Sequence, residues 1–388
     1  MLSAGFVYAW SILSAPIAAE FPAWSSAQLS LTFTLCMTFF CLGGIASGIL
    51  ARRRPANGNI RLAALLFAVG FFIASRAQSL PVLYLSYGVL CGGASGLAYN
   101  AVMNVVPRWF PDRMGLISGL LLMGFGASSM VIGALFSAVT PDRVGAWRGS
   151  LLGLGLAMAA VLFAASFFLR APDGGASGPQ TGRASTADYT PAQMLRQSGF
   201  WCLFFWAILL SGVGLIVISL SRGLVVFTSD GLSAGAISLM VGLISVCNGL
   251  GRILFGALYD KIGRRPTMRI VTLANLAGIG LIALSLSGGA AFLAAGFVCV
   301  GFGYGGTPTM NAAVVKQFYG SENYAVNFSI LNTNLLPASF LSPLGASMYE
   351  RTGTFSGVLL LLAALGCAAL AVSFFVRGPS DRKEKQPK

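Results

Sequence analysis

Apolar, almost uncharged runs of about twenty residues recur along this chain, and short polar loops separate them. Marking them gives twelve candidate spans: 1–19, 27–50, 59–75, 80–106, 114–138, 147–169, 200–221, 236–259, 266–287, 289–314, 325–348 and 354–376. At a rise of about 1.5 Å per residue, a helix of that length crosses a hydrocarbon core about 30 Å thick. The short alternating segments of a membrane β-barrel are absent. The pattern predicts an all-α membrane protein with twelve transmembrane helices. Its longest connection, Arg170 to Ser198, is rich in Gly, Ser, Ala and Pro and reads as a flexible linker. Near its end Thr190 precedes Pro191, an N-cap followed by the first helical position, which predicts a short surface helix. The predicted organisation is a six-helix half over 1–169, a linker over 170–199, a second six-helix half over 200–376 and a basic tail over 377–388.

The two halves share one register. Adding 208 to a position in the first half carries Ser3 to Ser211, Ser30 to Ser238, Leu42 to Leu250, Gly43 to Gly251 and Gly48 to Gly256. The same offset carries Gly88 to Gly296, Cys91 to Cys299, Gly93 to Gly301 and Phe110 to Phe318. Single matches are cheap in a chain rich in Leu and Gly, but one offset that holds along most of the chain is not. Two six-helix units repeated in parallel are what a major facilitator fold gives, with substrate near the midplane between the halves.

Composition supports the membrane reading: 56% of the 388 residues are hydrophobic, 9% are charged and none is histidine. The net charge of +14 suggests nucleic acid only until it is mapped. With the amino terminus inside, inner loops hold nineteen of the 25 basic residues and outer loops hold five. Positive residues collect on the cytoplasmic side, so both termini are predicted to be cytoplasmic and no nucleic-acid partner is expected. The seven cysteines all fall within spans without metal-like spacing and read as small buried hydrophobes. CGGASG (Cys91–Gly96) and GFGYGG (Gly301–Gly306) lie mid-span, where small residues serve close helix packing rather than phosphate binding. With no Walker motif, metal cluster or histidine, no cofactor, metal or enzymatic activity is expected.

That census leaves one basic residue over, Arg252, within the eighth span. All eleven acidic residues lie in loops or at span ends, so the cation has no membrane-embedded carboxylate to pair with. Asp260 marks the inner end of the same helix, eight residues on, which puts Arg252 about 12 Å deep and near the midplane. An arginine there costs at least roughly 2.5–3.5 kcal/mol, and snorkelling does not reach from that depth. In the repeat its counterpart is Gly44, so the cation belongs to the second half alone. Its remedy is either a set of neutral acceptors or an anion that comes and goes. Asn248 lies one turn before it and Ser245 nearly two. A planar guanidinium suits a small carboxylate because it offers two parallel hydrogen bonds. Further polar groups expected near the midplane are Tyr8, Trp10, Tyr99, Asn100, Tyr304, Asn332 and Asn334, for which packing and substrate contact are both open.

GALYDKIGRR (Gly256–Arg265) carries the loop signature G-x-x-x-D-x-x-G-R-[RK] of major facilitators. There Asp260 can accept hydrogen bonds from a neighbouring helix start while Arg264 and Arg265 anchor the turn, a latch whose release opens the cytoplasmic side. The first-half counterpart, GILARRRPANG (Gly48–Gly58), has Arg52 where the aspartate stands.

Five stretches together resemble the oxalate/formate antiporter family of major facilitators, which is related to the monocarboxylate porters. They are GFVYAWSILSAPI, QLSLTFTLCMTFFCLGG, VVPRWFPDRMGLISGLLLMGFGASS, TPAQMLRQSGFWCLFFW and NGLGRILFGALYD. The resemblance implies a twelve-helix carrier for small organic acid anions, with the eighth-helix arginine, here Arg252, on the substrate carboxylate. Two departures stand out. Oxalate exchangers of the family carry a lysine in the eleventh helix, and NFSILNTNLLPASF (Asn327–Phe340) has none. Proton-coupled monocarboxylate porters carry an aspartate one turn before the arginine, and here that position is Asn248.

The sequence therefore predicts a monomeric carrier in a bacterial inner membrane, moving small mono- or dicarboxylates by alternating access. Exchange or facilitated diffusion is expected, because no span offers a side chain to carry a proton. Monocarboxylate–proton symport is the alternative of the same class, and a membrane anion sensor or scaffold is the alternative of another.

Overall fold

A computed structural model describes residues 1–51, 53, 55–141, 143–170, 188–228 and 234–379. The linker interior 171–187, most of the basic tail and Arg52 lie outside the described residues. Regular structure among the described residues is helical throughout, with no strand. Ten helices are long and apolar enough to cross a membrane, and they coincide with the expected spans two to ten and twelve. The short helix expected after Thr190 is Pro191–Leu195, with Thr190 and Gln193 forming a reciprocal capping box.

The other two expected spans are interrupted. Over 1–19 the chain forms a 3-10 segment, Ser3–Ala9, and then a helix, Trp10–Glu20, that contains Pro16. Over 325–348 it forms three helices, Tyr324–Asn332, Leu335–Ser339 and Leu341–Thr352. The first of those breaks falls at Asn332-Thr333-Asn334, where side chains compete for the backbone. Asn334 Nδ2 takes the carbonyl of Leu331 at 2.6 Å. Pro337 and Pro343 remove further backbone donors. The fifth span also breaks, between Met114–Gly126 and Ser128–Val139, and Ser128 Oγ donates to the carbonyl of Phe125 at 2.7 Å. The repeat offset carries Ala127 to Leu335, beside the break in the eleventh span, so both interruptions sit at nearly one register.

The chain forms two compact units. The first comprises Met1–Pro111, Gly124–Pro179 and Tyr324–Ile330; the second comprises Asp112–Met123, Gln180–Asn323 and Leu331–Lys388. One segment of each broken span is thus assigned away from the unit that holds the neighbouring spans in sequence. In the first unit Phe6 meets Phe67, Phe71 and Tyr87 edge-on at 5.1, 5.4 and 5.2 Å. At the end of the first span, Glu20 accepts from Arg148 Nη2 and from Trp147 Nε1, each at 2.6 Å. Arg148 Nη1 also donates to the carbonyl of Ala77 at 3.0 Å. This pair ties three helix ends together, and its hydrogen bonds outweigh partial burial to hold the Glu20 carboxyl below its ordinary value. The second unit has an aliphatic core that includes Val213, Ile216, Ile282, Phe297 and Phe355.

Candidate functional site

Arg252 lies in the long helix Ala234–Ile262 and is 3% exposed. Its Nε donates to Asn248 Oδ1 at 3.4 Å, one turn back on the same helix. Its Nη1 donates to the main-chain carbonyl of Leu122, near the end of Met114–Gly126. Both acceptors are neutral, and no carboxylate among the described residues pairs with it. Two glycines bring the neighbouring helices up to this turn. A Cβ at Gly119 would collide with the Arg252 carbonyl, and one at Gly305 with the Asn248 carbonyl. Thr309 Oγ1 donates to the Arg252 carbonyl at 3.3 Å. The arginine is therefore held at its backbone by close packing, while its guanidinium, with five N–H donors, meets two recorded acceptors.

Two turns further along the helix, Asp260 accepts from the backbone N–H groups of Gly115 at 3.1 Å and Leu116 at 3.0 Å. Those N–H groups open the helix Met114–Gly126, where a carboxylate satisfies unpaired donors and complements the helix dipole. Gly115 and Gly256 face each other, and neither has room for a Cβ. One helix thus grips another at both ends, with Asp260 on the positive end and Arg252 towards the negative end. The chain then turns at Gly263, whose φ of 78° belongs to the left-handed region that glycine tolerates. Arg264 is buried, donates from Nη1 to the Val376 carbonyl and lies over the Phe318 ring at 4.6 Å. Arg265 is exposed.

The remaining expected residues divide between the units. In the second, Asn334 is buried and accepts from Ser211 Oγ at 3.4 Å, so its amide closes the helix break. Tyr304 is buried with its ring against Gly214, and Asn332 is buried at the same break. In the first unit, Trp10 donates to the Leu29 carbonyl at 3.0 Å and packs on Tyr87 at 4.5 Å. Tyr8 and Tyr99 meet Phe125 at 5.4 and 4.9 Å. Asn100 is buried and donates to the carbonyls of Gly44 at 2.9 Å and Ala325 at 2.7 Å. The contacts recorded for Arg252 thus include one expected residue, Asn248.

Sequence reasoning missed the Leu122 carbonyl, Gly119 and Thr309, whereas Gly305 lies in the GFGYGG stretch expected to serve close helix packing. The carbonyl has no sequence signature, and Gly119 is not distinguishable from the many other glycines. Among the described residues no cluster of His, Cys, Asp or Glu could hold a metal ion.

A family model described as Major Facilitator Superfamily matches residues 1–343 and 224–388. The chain is 28% identical over 331 residues to the "Uncharacterized MFS-type transporter YhjX" of Escherichia coli (strain K12), covering 84% of this chain and 80% of that protein. It is 28% identical over 380 residues to the "Oxalate:formate antiporter" of Oxalobacter formigenes, covering 96% of this chain and 87% of that one. Over 122 residues it is 34% identical to "Monocarboxylate transporter 12" of Mus musculus, covering 31% of this chain and 24% of that protein. The fold superposes on the transporter FucP in its outward conformation with a TM-score of 0.68 at 14% identity, covering 97% of this chain and 98% of that one.

Proposed function

The chain belongs to the Major Facilitator Superfamily, and from that premise we propose that it carries small organic acid anions, with Arg252 as the ligand of the substrate carboxylate. The observation that supports this reading is a buried guanidinium whose recorded partners are the neutral oxygens of Asn248 and Leu122. A carboxylate in the guanidinium fork supplies two parallel hydrogen bonds and a full opposite charge, where an amide or carbonyl oxygen supplies one bond and no charge. The similarity to an oxalate:formate antiporter along nearly the whole chain favours the same substrate class. With a single cation at this depth, monocarboxylates fit better than a dianion. The carrier is read as a twelve-span monomer of two six-helix halves in a bacterial inner membrane, with both termini cytoplasmic. It works by alternating access, as an exchanger or facilitator. Asn248 positions the arginine, Tyr8, Trp10, Tyr99, Asn100, Tyr304, Asn332 and Asn334 shape the remainder of the path, and Asp260, Arg264 and Arg265 form the gate.

A second reading takes Arg252 as a structural tie, and its bond to the Leu122 carbonyl favours that. Labelled formate, acetate, lactate and oxalate counterflow in proteoliposomes separates the two. Arg252→Gln abolishes counterflow while the protein stays folded, and Arg252→Lys fails as well, because an ammonium lacks the planar fork. Near-normal counterflow by the glutamine variant ends the carrier reading of Arg252.

A further inference from the structure

The grip on Met114–Gly126 has a counterpart built without charge. In the first unit the helix Tyr324–Asn332 lies against the second span, where a Cβ at Gly48 would meet the backbone of Val326. Gly44, the repeat partner of Arg252, faces Ser329. Asn100 donates to Ala325 at 2.7 Å and to Gly44 at 2.9 Å, and its amide also meets Ser329 Oγ. One contact is therefore built twice at one register. In one copy the tie is an asparagine that an anion has no reason to displace. In the other it is a guanidinium that bonds a peptide carbonyl.

We infer that a bound carboxylate takes Arg252 away from the Leu122 carbonyl and so releases the inner segment of the fifth span, residues 114–123, while the neutral tie on Tyr324–Asn332 stays closed. This inference rests on the carrier reading above and adds how occupancy is transmitted. A ligand shifts a conformational equilibrium only by the difference in its affinity for the two states. Here that difference has a stated source. A carboxylate in the fork claims N–H groups from two guanidinium nitrogens, in competition with Leu122 or Asn248. Whichever edge it takes, it neutralises the cation that stabilises the negative end of Met114–Gly126. Asp260 still caps the positive end, so the segment pivots about Gly115 rather than detaching. Gly119 and Gly256 let it move as a smooth face, since neither carries a side chain into the interface.

The test uses thiols that report opening of each segment. Ser118→Cys and Ser329→Cys place near-isosteric probes at positions 2% and 3% exposed, one on each gripped helix. Met123→Cys, half-buried, is a second probe of the first segment should Ser118→Cys fold poorly. Full-length protein in proteoliposomes is labelled with a small maleimide, with and without sodium formate, acetate, lactate or oxalate, and labelling is read by peptide mass. Binding is followed in the same preparation by thermal shift. The expected result is labelling at position 118 or 123 faster by roughly tenfold or more with a bound carboxylate, the loss of one charged hydrogen bond, and no change at 329. Arg252→Gln should label fast at 118 without any anion. A carboxylate that binds without changing labelling at 118 or 123 overturns this inference alone, as does an equal response at 329, or slow labelling in Arg252→Gln. If none of the four anions shifts the melting temperature, the carrier reading falls and this inference falls with it.

Discussion

Asp260 offers a test in which the magnitude follows from geometry. Its two carboxylate oxygens accept from Gly115 and Leu116 at 3.1 and 3.0 Å, at the first turn of Met114–Gly126. Asparagine keeps one acceptor and turns an NH2 towards the other N–H, losing one bond and the interaction of the charge with the helix dipole. The residue is exposed, so solvent screens part of that loss. The dipole term is about 0.3–1 kcal/mol and removal of a capping side chain typically costs about 1 kcal/mol, with a range up to about 2. Asp260→Asn should therefore weaken the contact between Ala234–Ile262 and Met114–Gly126 by about 0.5–1 kcal/mol, a two- to fivefold shift in its equilibrium. Asp260→Ala removes both acceptors and should shift it by about five- to thirtyfold. Because the residue lies two turns from Arg252, these losses should appear in turnover rather than in substrate affinity. Initial rates of labelled carboxylate counterflow across a range of concentrations give both quantities. A graded fall in maximal rate, Asn milder than Ala, with affinity unchanged within twofold, is the expected outcome. Weakened affinity with a normal maximal rate would refute the latch and place Asp260 in the substrate path.

Gly119→Ala should lower thermal stability by about 1–3 kcal/mol and slow turnover, because its Cβ collides with the Arg252 carbonyl. Gly153→Ala, with nothing near its Cβ, should be neutral or slightly stabilising in the same melting assay, and equal losses from the two would refute the packing argument. Glu20→Gln should cost about 1 kcal/mol at neutral pH. The folded carboxyl titrates below its unfolded value, so the wild-type advantage is full above that value and fades as pH falls through the folded one; melting curves from pH 7 to pH 3 should converge. Exchange between two ionised carboxylates should vary little between about pH 6 and 8, since the chain has no histidine to titrate there, and external substrate should strongly accelerate efflux. Efflux that needs no external anion, or uphill uptake driven by a proton gradient alone, would replace exchange with symport.

Long apolar runs are among the strongest signals a sequence carries, and the ten helical segments of membrane-spanning length fall where those runs lie. Hydropathy does not register interruptions. Residues 325–348 are as uncharged as their neighbours, yet Asn332-Thr333-Asn334 and two prolines divide them into three helices. The fifth span gives even less warning, because Ala127 is a good helix former and the break shows only in the carbonyls that Ser128 collects from Phe125 and Gly5. The site follows the same division. Arg252 stands out from charge arithmetic alone, and Asn248 follows from helical spacing. Its other recorded partner is a main-chain oxygen, a group every residue carries, and only the approach of Gly119 to the eighth helix selects Leu122. The repeat narrows that gap once the structure is in hand. Comparing Gly44 with Arg252 separates what the scaffold needs at that register from what was added to it. The scaffold needs a small surface against a broken helix, and the first half supplies it with glycine and an asparagine tie. A guanidinium in the equivalent place exceeds what packing requires, and the cost of keeping a cation there is the ground on which the proposed carboxylate ligand rests.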